Sequence, residues 1–145
     1  MFDRIQDSLS AENSVNRQMI IPLRIVLFAK QMRQSDSRPH REKATLKDIY
    51  LGLAQEGAAL LLSGEIQEPQ FAEQLRSANS SSTQILFPKT FYRVLEAIKQ
   101  EADSGRYPVD KGYKISIISL AICLMREAIK YRQSKKTAPA APLSV

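Results

Sequence analysis

The sequence contains no tryptophan, one cysteine and one histidine among its 145 residues. A single thiol, Cys123, excludes an internal disulfide and fits a reducing compartment. One histidine with one remote cysteine falls short of the several nitrogen and sulfur ligands that a zinc site requires. His40 lies in a charged stretch and reads as a solvated loop residue. Cys123 lies in an apolar run and reads as packing, because a reactive thiol needs exposure and positive neighbours. The five glycines are scattered, with no GxGxxG or GxxxxGK[ST] run to cradle a phosphate. Nothing signals a Ser/His/Asp or Cys/His arrangement. The acids Glu56, Glu65, Glu68 and Glu73 read as a solvated face rather than as paired acid and base. No enzymatic activity, no metal and no cofactor are therefore expected.

Long apolar runs are equally scarce. MIIPLRIVLFA is interrupted by Pro22 and Arg24, and ISIISLAICLM is bounded by Lys114 and Arg126. Both are far shorter than the roughly 20 residues that a membrane-spanning helix needs. The stretch MFDRIQDSLSAENS has no apolar core of a secretory leader. A cytoplasmic chain without a membrane span is expected, and we take its source to be bacterial or phage-like.

What is present suffices for a core. Apolar residues make up 43% and charged residues 25%, an ordinary balance for a globular chain. The formal charge of +6 and a pI of about 9.6 favour anionic partners, nucleic acid first and an acidic protein or membrane surface second.

Along the chain, residues 2–16 are polar and suit a short helix. Met19-Ile20-Ile21 precede Pro22 and should be extended, because a residue before proline avoids the helical region. Ile25, Phe28, Ala29 and Met32 then keep helical spacing. SDSRPHREK is a charged loop. Thr45 with Asp48 forms a capping-box pattern for the helix DIYLGLAQEGAALLL, and Gly64 suits its stop. PQFAEQLRS reads as a brief helix opened by Pro69. SANSSST is a serine-rich loop. Thr83 to Phe87 is extended, and Phe91, Val94, Leu95 and Ile98 give a helical stripe after Pro88. DSGRYPVDKGYK is a second basic loop. Ile115 to Met125 is apolar nearly all round, as expected of a helix buried on several sides or at an oligomer interface.

These readings give a mainly α fold of four principal helices, with short extended segments before Pro22 and Pro88. One compact domain is expected over 1–134, with halves at about 18–64 and 83–133 joined by the loop at 77–82. Residues 135–145 form a disordered tail. The halves echo each other: sliding Pro22 onto Pro88 also places Ile25 on Phe91, Phe28 on Val94, Ala29 on Leu95 and Met32 on Ile98. A true duplication and four ordinary amphipathic helices both fit that echo.

The words TQILFP, KTFYRVLEAIKQEA and KISIISLAICLMREAIKY resemble the ribbon-helix-helix family of DNA-binding proteins. The resemblance implies a strand that pairs into a two-stranded ribbon, enters the major groove and reads bases with its outward side chains. It places Ile85 and Phe87 toward the core and Gln84 and Leu86 toward the groove. Lys89, Lys111 and Lys114 would meet phosphates. If the echo is a duplication, the resemblance implies a tandem pseudo-dimer, with Gln18 and Ile20 as the outward positions of the first half. Leu86 and Ile20 depart from the pattern, being apolar where a polar reader is usual.

Basic residues cluster in both loops, Arg38, Arg41, Lys43 and Lys47 in the first and Arg106, Lys111 and Lys114 in the second, the latter interleaved with Tyr107 and Tyr113. Convergence of the loops would make a phosphate footprint. The expected function is a small DNA-binding regulator or DNA-processing accessory factor on double-stranded DNA, using Gln84, Lys89, Arg106, Lys111, Lys114, Arg38, Arg41 and Lys43. A homodimer or tight pseudo-dimer would use Ile118, Ile122 and Met125. The alternative is a helical protein–protein adaptor, chaperone or anti-regulator that binds no nucleic acid.

Overall fold

The computed structural model describes residues 13–72 and 80–137. Strand β1 (Ser14–Ile21) leads directly into helix α1 (Leu23–Ser35). A 3-10 turn at His40–Glu42 precedes helix α2 (Leu46–Leu62). Strand β2 (Ser81–Pro88) leads into helix α3 (Lys89–Asp103), and helix α4 (Ile117–Thr137) follows. The two strands pair with each other, antiparallel, from Ser14 opposite Pro88 to Ile21 opposite Ser81.

Each strand ends for the same reason that the next helix begins. Proline has no N–H for a ladder, and its fixed φ suits a helix entrance. Pro22 and Pro88 sit at the N-caps of α1 and α3, with φ −59° and −54°. The Pro22 carbonyl accepts from the N–H groups of Ile25 and Val26 at 3.0 and 3.1 Å. Strand and helix are thus joined without a loop.

Alternation along the strands decides which face is buried. Met19 and Ile21 of β1, and Ile85 and Phe87 of β2, are almost fully buried. Asn16, Gln18, Ser82, Gln84 and Leu86 point away from the core and are exposed. Beneath the sheet, α3 buries Phe91, Leu95, Ile98 and Ala102 along one stripe. The Phe87 ring lies 6.3 Å from that of Phe91 and 6.2 Å from that of Tyr92.

The centre of the core is the crossing of α2 and α4. Helix α2 is capped as its sequence indicates: Asp48 N–H donates to Thr45 Oγ1 at 3.2 Å, and Thr45 N–H to Asp48 Oδ2 at 3.4 Å. Its Gly57 lies against α4 so closely that a Cβ there would sit 2.1 Å from the Leu124 carbonyl oxygen. Leu120 through Met125 are all buried. No described helix is long and apolar enough to cross a membrane.

The expectation of a mainly α chain, with a tandem ribbon-helix-helix pseudo-dimer as its specific form, is corrected here. Two eight-residue strands form an antiparallel sheet beside four helices, so the fold is mixed α and β. The strands are longer than the extended segments expected before each proline, because both begin in polar sequence. Asn16 and Ser14, assigned above to a polar helix, belong to β1, and Ser81 and Ser82, assigned to a loop, belong to β2. The halves also differ in their connections. The first loop folds into the 3-10 turn, whereas the second pairs Val109 with Phe71 in a parallel bridge.

That bridge replaces the start of the helix expected at PQFAEQLRS, whose remainder from residue 73 lies outside the described residues. Residues 1–12 and 138–145 lie outside them as well, with most of the expected N-terminal helix and tail. Residues 135–137, assigned to the tail, continue α4.

Candidate nucleic-acid interface

Beyond the terminal Ser14–Pro88 pair, the outward face of the ribbon carries six side chains in three cross-strand pairs. Asn16 lies opposite Leu86, Gln18 opposite Gln84, and Ile20 opposite Ser82. Antiparallel pairing brings such partners within about 5.5 Å at Cβ, so the pairs form one continuous patch. Gln18 donates from Nε2 to Ser82 Oγ at 2.9 Å, which orients its amide along the face. Leu86 is 56% exposed, and Ile20 is half-buried.

The patch is rigidly backed. Arg17, between Asn16 and Gln18, projects to the other side and donates from Nη1 to the Tyr92 hydroxyl at 2.8 Å. The bond ties β1 to the first turn of α3, and Phe87 packs against the same Tyr92 ring. The start of α2 borders the patch: Thr45, Lys47 and Leu51 line one groove with Asn16, Gln84 and Leu86. At the exit of β2, Lys89 and Arg93 line a second groove with Leu86 and Pro88. Lys47, Lys89 and Arg93 are exposed, so three cations adjoin the ribbon face.

The basic residues expected to contact DNA are placed unequally. Gln84 is on the outward face, and Lys89 is at the ribbon exit. Arg38 is engaged locally: it donates from Nε and Nη2 to both Asp36 carboxylate oxygens at 2.6–3.0 Å. That guanidinium lowers the Asp36 carboxyl to about 2. Arg106 meets Glu101 at 3.3 Å and stacks over the Tyr107 ring at 5.5 Å. Lys114 lies beside Ala102 and Asp103, at the end of α3 remote from the ribbon exit. Lys111 is exposed in the same loop, and Arg41 and Lys43 belong to the first loop. Arg38 and Arg106 therefore have part of their charge matched before any ligand arrives.

The residues expected at a dimer interface are largely covered by the chain itself. Met125 is fully buried and Ile122 nearly so, while Ile118 is half-buried against the core. A helix apolar all round is explained here by helices on several sides, α1, α2 and α3, together with β1.

His40 is exposed, its ring nitrogens 3.3 and 3.5 Å from Arg33 Nη2. Cys123 is buried, its thiol 3.4 Å from the Ala72 carbonyl. Among the described residues no three His, Cys, Asp or Glu side chains are grouped to hold a metal ion.

Sequence reasoning passed over Asn16 and Arg93 as parts of the site, and it grouped Lys47 with the first basic loop rather than with the ribbon. Asn16 was hidden by the polar run around it. Arg93 is an ordinary helix-surface residue until pairing of the strands brings the ribbon beside it, and the same pairing brings Lys47 to the ribbon face. The one available signal was the period-2 placement of Arg17, Met19 and Ile21 across from Asn16, Gln18 and Ile20, in which a polar Arg17 occupies an inward position. Comparison with family models, with curated protein sequences and with solved structures finds no match to the chain.

Proposed function

We propose that this chain binds double-stranded DNA as a small regulator or DNA-processing accessory factor, with the outward face of its two-stranded ribbon in the major groove. The observation that carries the reading is the opposition of Gln18 and Gln84 at the middle of an exposed antiparallel ribbon. A ribbon of two strands fits a major groove about 12 Å wide, and a glutamine amide can accept from adenine N6–H through its carbonyl oxygen and donate to N7 through its NH2 group, as base readout requires. Lys47, Lys89 and Arg93 stand beside the ribbon where groove walls bring phosphates, which supports positioning by backbone contacts. The formal charge of +6 supports association with a polyanion.

The test is a titration of the full chain into fluorescent duplexes of mixed sequence at two salt concentrations. Binding should weaken steeply with salt, because each phosphate contact releases condensed counterions. Reversing the charge of Lys89 and Arg93 together should flatten that salt dependence. Absence of binding at the lower salt concentration overturns the reading.

Leu27 and Leu62, 55% and 59% exposed, favour the second reading, a protein–protein adaptor or anti-regulator. It predicts that Leu62→Asp abolishes partner capture while the charge reversals leave it intact. The opposite pattern favours DNA.

A further inference from the structure

The ribbon face has an internal order that groove entry alone does not require. A half-turn about an axis through the middle of the Gln18–Gln84 pair exchanges Ile20 with Leu86 and Asn16 with Ser82. Each strand therefore presents, in the same chain direction, a small polar residue, a glutamine and a branched aliphatic. The two aliphatic side chains occupy diagonal corners of the face, and the amides occupy its centre. Both strands come from one chain, so one chain supplies the whole arrangement.

The chemistry of these residue types selects a base pair. A glutamine amide reaches adenine N6 and N7 together, and an aliphatic side chain contacts the thymine 5-methyl group in the same groove. Gln18 uses one amide hydrogen on Ser82, leaving its second hydrogen and its carbonyl oxygen for a base. Among the described residues the Gln84 side chain makes no hydrogen bond across the ribbon. Leu86 is exposed and Ile20 half-buried, and thymine methyl groups lining a groove would remove apolar surface of both from water.

We propose that the ribbon reads a short inverted repeat of A·T pairs, each glutamine on an adenine and Ile20 and Leu86 on thymine 5-methyl groups, with one chain bound per repeat. The inference rests on the DNA reading above and specifies its target. Asn16 and Ser82, which differ, would make the outermost positions of the repeat unequal.

The test selects from duplexes carrying a randomised central segment, using the full chain at low salt, followed by sequencing of the retained pool. An inverted repeat with A·T pairs at its centre is expected. Two further arms use the selected duplex. Replacing its central thymines by uracil removes only the 5-methyl groups, and should weaken binding by roughly four-fold per methyl lost from contact. Gln84→Ala should reduce discrimination against a G·C-substituted duplex by roughly ten-fold. Gln84 is exposed, and the uracil arm needs no variant, so misfolding does not confuse the result. Retention of a pool without a motif, a G·C-centred motif, or indifference to uracil overturns this inference and leaves DNA binding standing. Failure to retain any duplex at low salt overturns both.

Discussion

Arg17 and Tyr92 meet beneath the ribbon, guanidinium Nη1 to phenol oxygen at 2.8 Å, from elements far apart in the chain. The pair is partly buried, so the bond competes with water less than a surface contact does. It also explains a charged residue at an inward strand position. Tyr92→Phe removes the bond and keeps the ring against Phe87. A loss of about 0.5–1.5 kcal/mol is expected. Arg17→Met removes the same bond, and in urea denaturation the double variant should cost less than the two single losses added together. Strict additivity would show that the two side chains do not stabilise each other.

Gly57 and Gly52 lie in the same helix and should respond oppositely to alanine. Alanine is the better helix former by about 1 kcal/mol, and that gain applies to both. At Gly52 nothing lies within 4 Å of the added Cβ. Gly52→Ala should therefore stabilise by about that amount. At Gly57 the new carbon would stand 2.1 Å from the Leu124 carbonyl oxygen and 2.7 Å from its carbon, both backbone atoms. Overpacking against backbone costs typically 1–3 kcal/mol or more, which outweighs the propensity gain. Equal thermal midpoints for the two variants would remove the close α2–α4 crossing from the account of the core.

How far the sequence carries this molecule depends on the range of the interaction concerned. The Thr45–Asp48 capping box, the Phe91–Leu95–Ile98 stripe and the inward placing of Ile85 and Phe87 are local patterns, and all are seen. Gln84 was legible as outward-facing because its neighbours were plainly inward-facing. The extent of the strands was not legible. Ser14, Asn16, Ser81 and Ser82 have little preference for extended structure by themselves. They join it because each faces a partner on the other strand, sixty or more positions away. The same long-range pairing brings Lys47 beside Gln84, and no spacing rule within one helix could announce that. The seat of Phe71 against Val109 was hidden likewise, because a bridge of one residue pair leaves no period.

Asp36 should titrate far below an ordinary carboxylate. Hydrogen bonds from Arg38, first from its side chain and then from its backbone N–H, favour the ionised form and lower the pKa from 3.8 to about 2. Because the folded value lies below the unfolded one, the contribution to stability is fully present above 3.8 and is lost as pH falls through about 2. The pair is solvent-exposed, and added salt should weaken it. Carboxyl carbon NMR should place the Asp36 midpoint near 2 in the parent chain. Arg38→Gln should return it to the ordinary range. An ordinary midpoint in the parent chain would show that Arg38 does not hold the Asp36 carboxylate in solution.

Glu127 is 4% exposed, and its role is to hold the backbone that seats Phe71. Its Oε1 accepts from the Gln70 N–H at 2.8 Å, while Arg126 donates from Nη2 to the Gln70 carbonyl. Lys130 and Arg126 lie 3.7 and 3.9 Å from the Glu127 carboxylate, so the buried charge is compensated. The next residue, Phe71, is buried with its ring 5.7 Å from Tyr107, and its carbonyl accepts from Asp110 N–H at 3.1 Å. The clamp thereby fixes the second basic loop as well. Glu127→Ala strands the Gln70 N–H, while Arg126 and Lys130 still reach water, so a loss of about 1–3 kcal/mol is expected, as for a buried donor left without its acceptor. Glu127→Gln keeps the acceptor oxygen but not the charge, and should cost less. If the two variants denature at the parent's urea midpoint, the clamp does not hold the loop. If only the alanine variant falls, the acceptor matters and the charge does not.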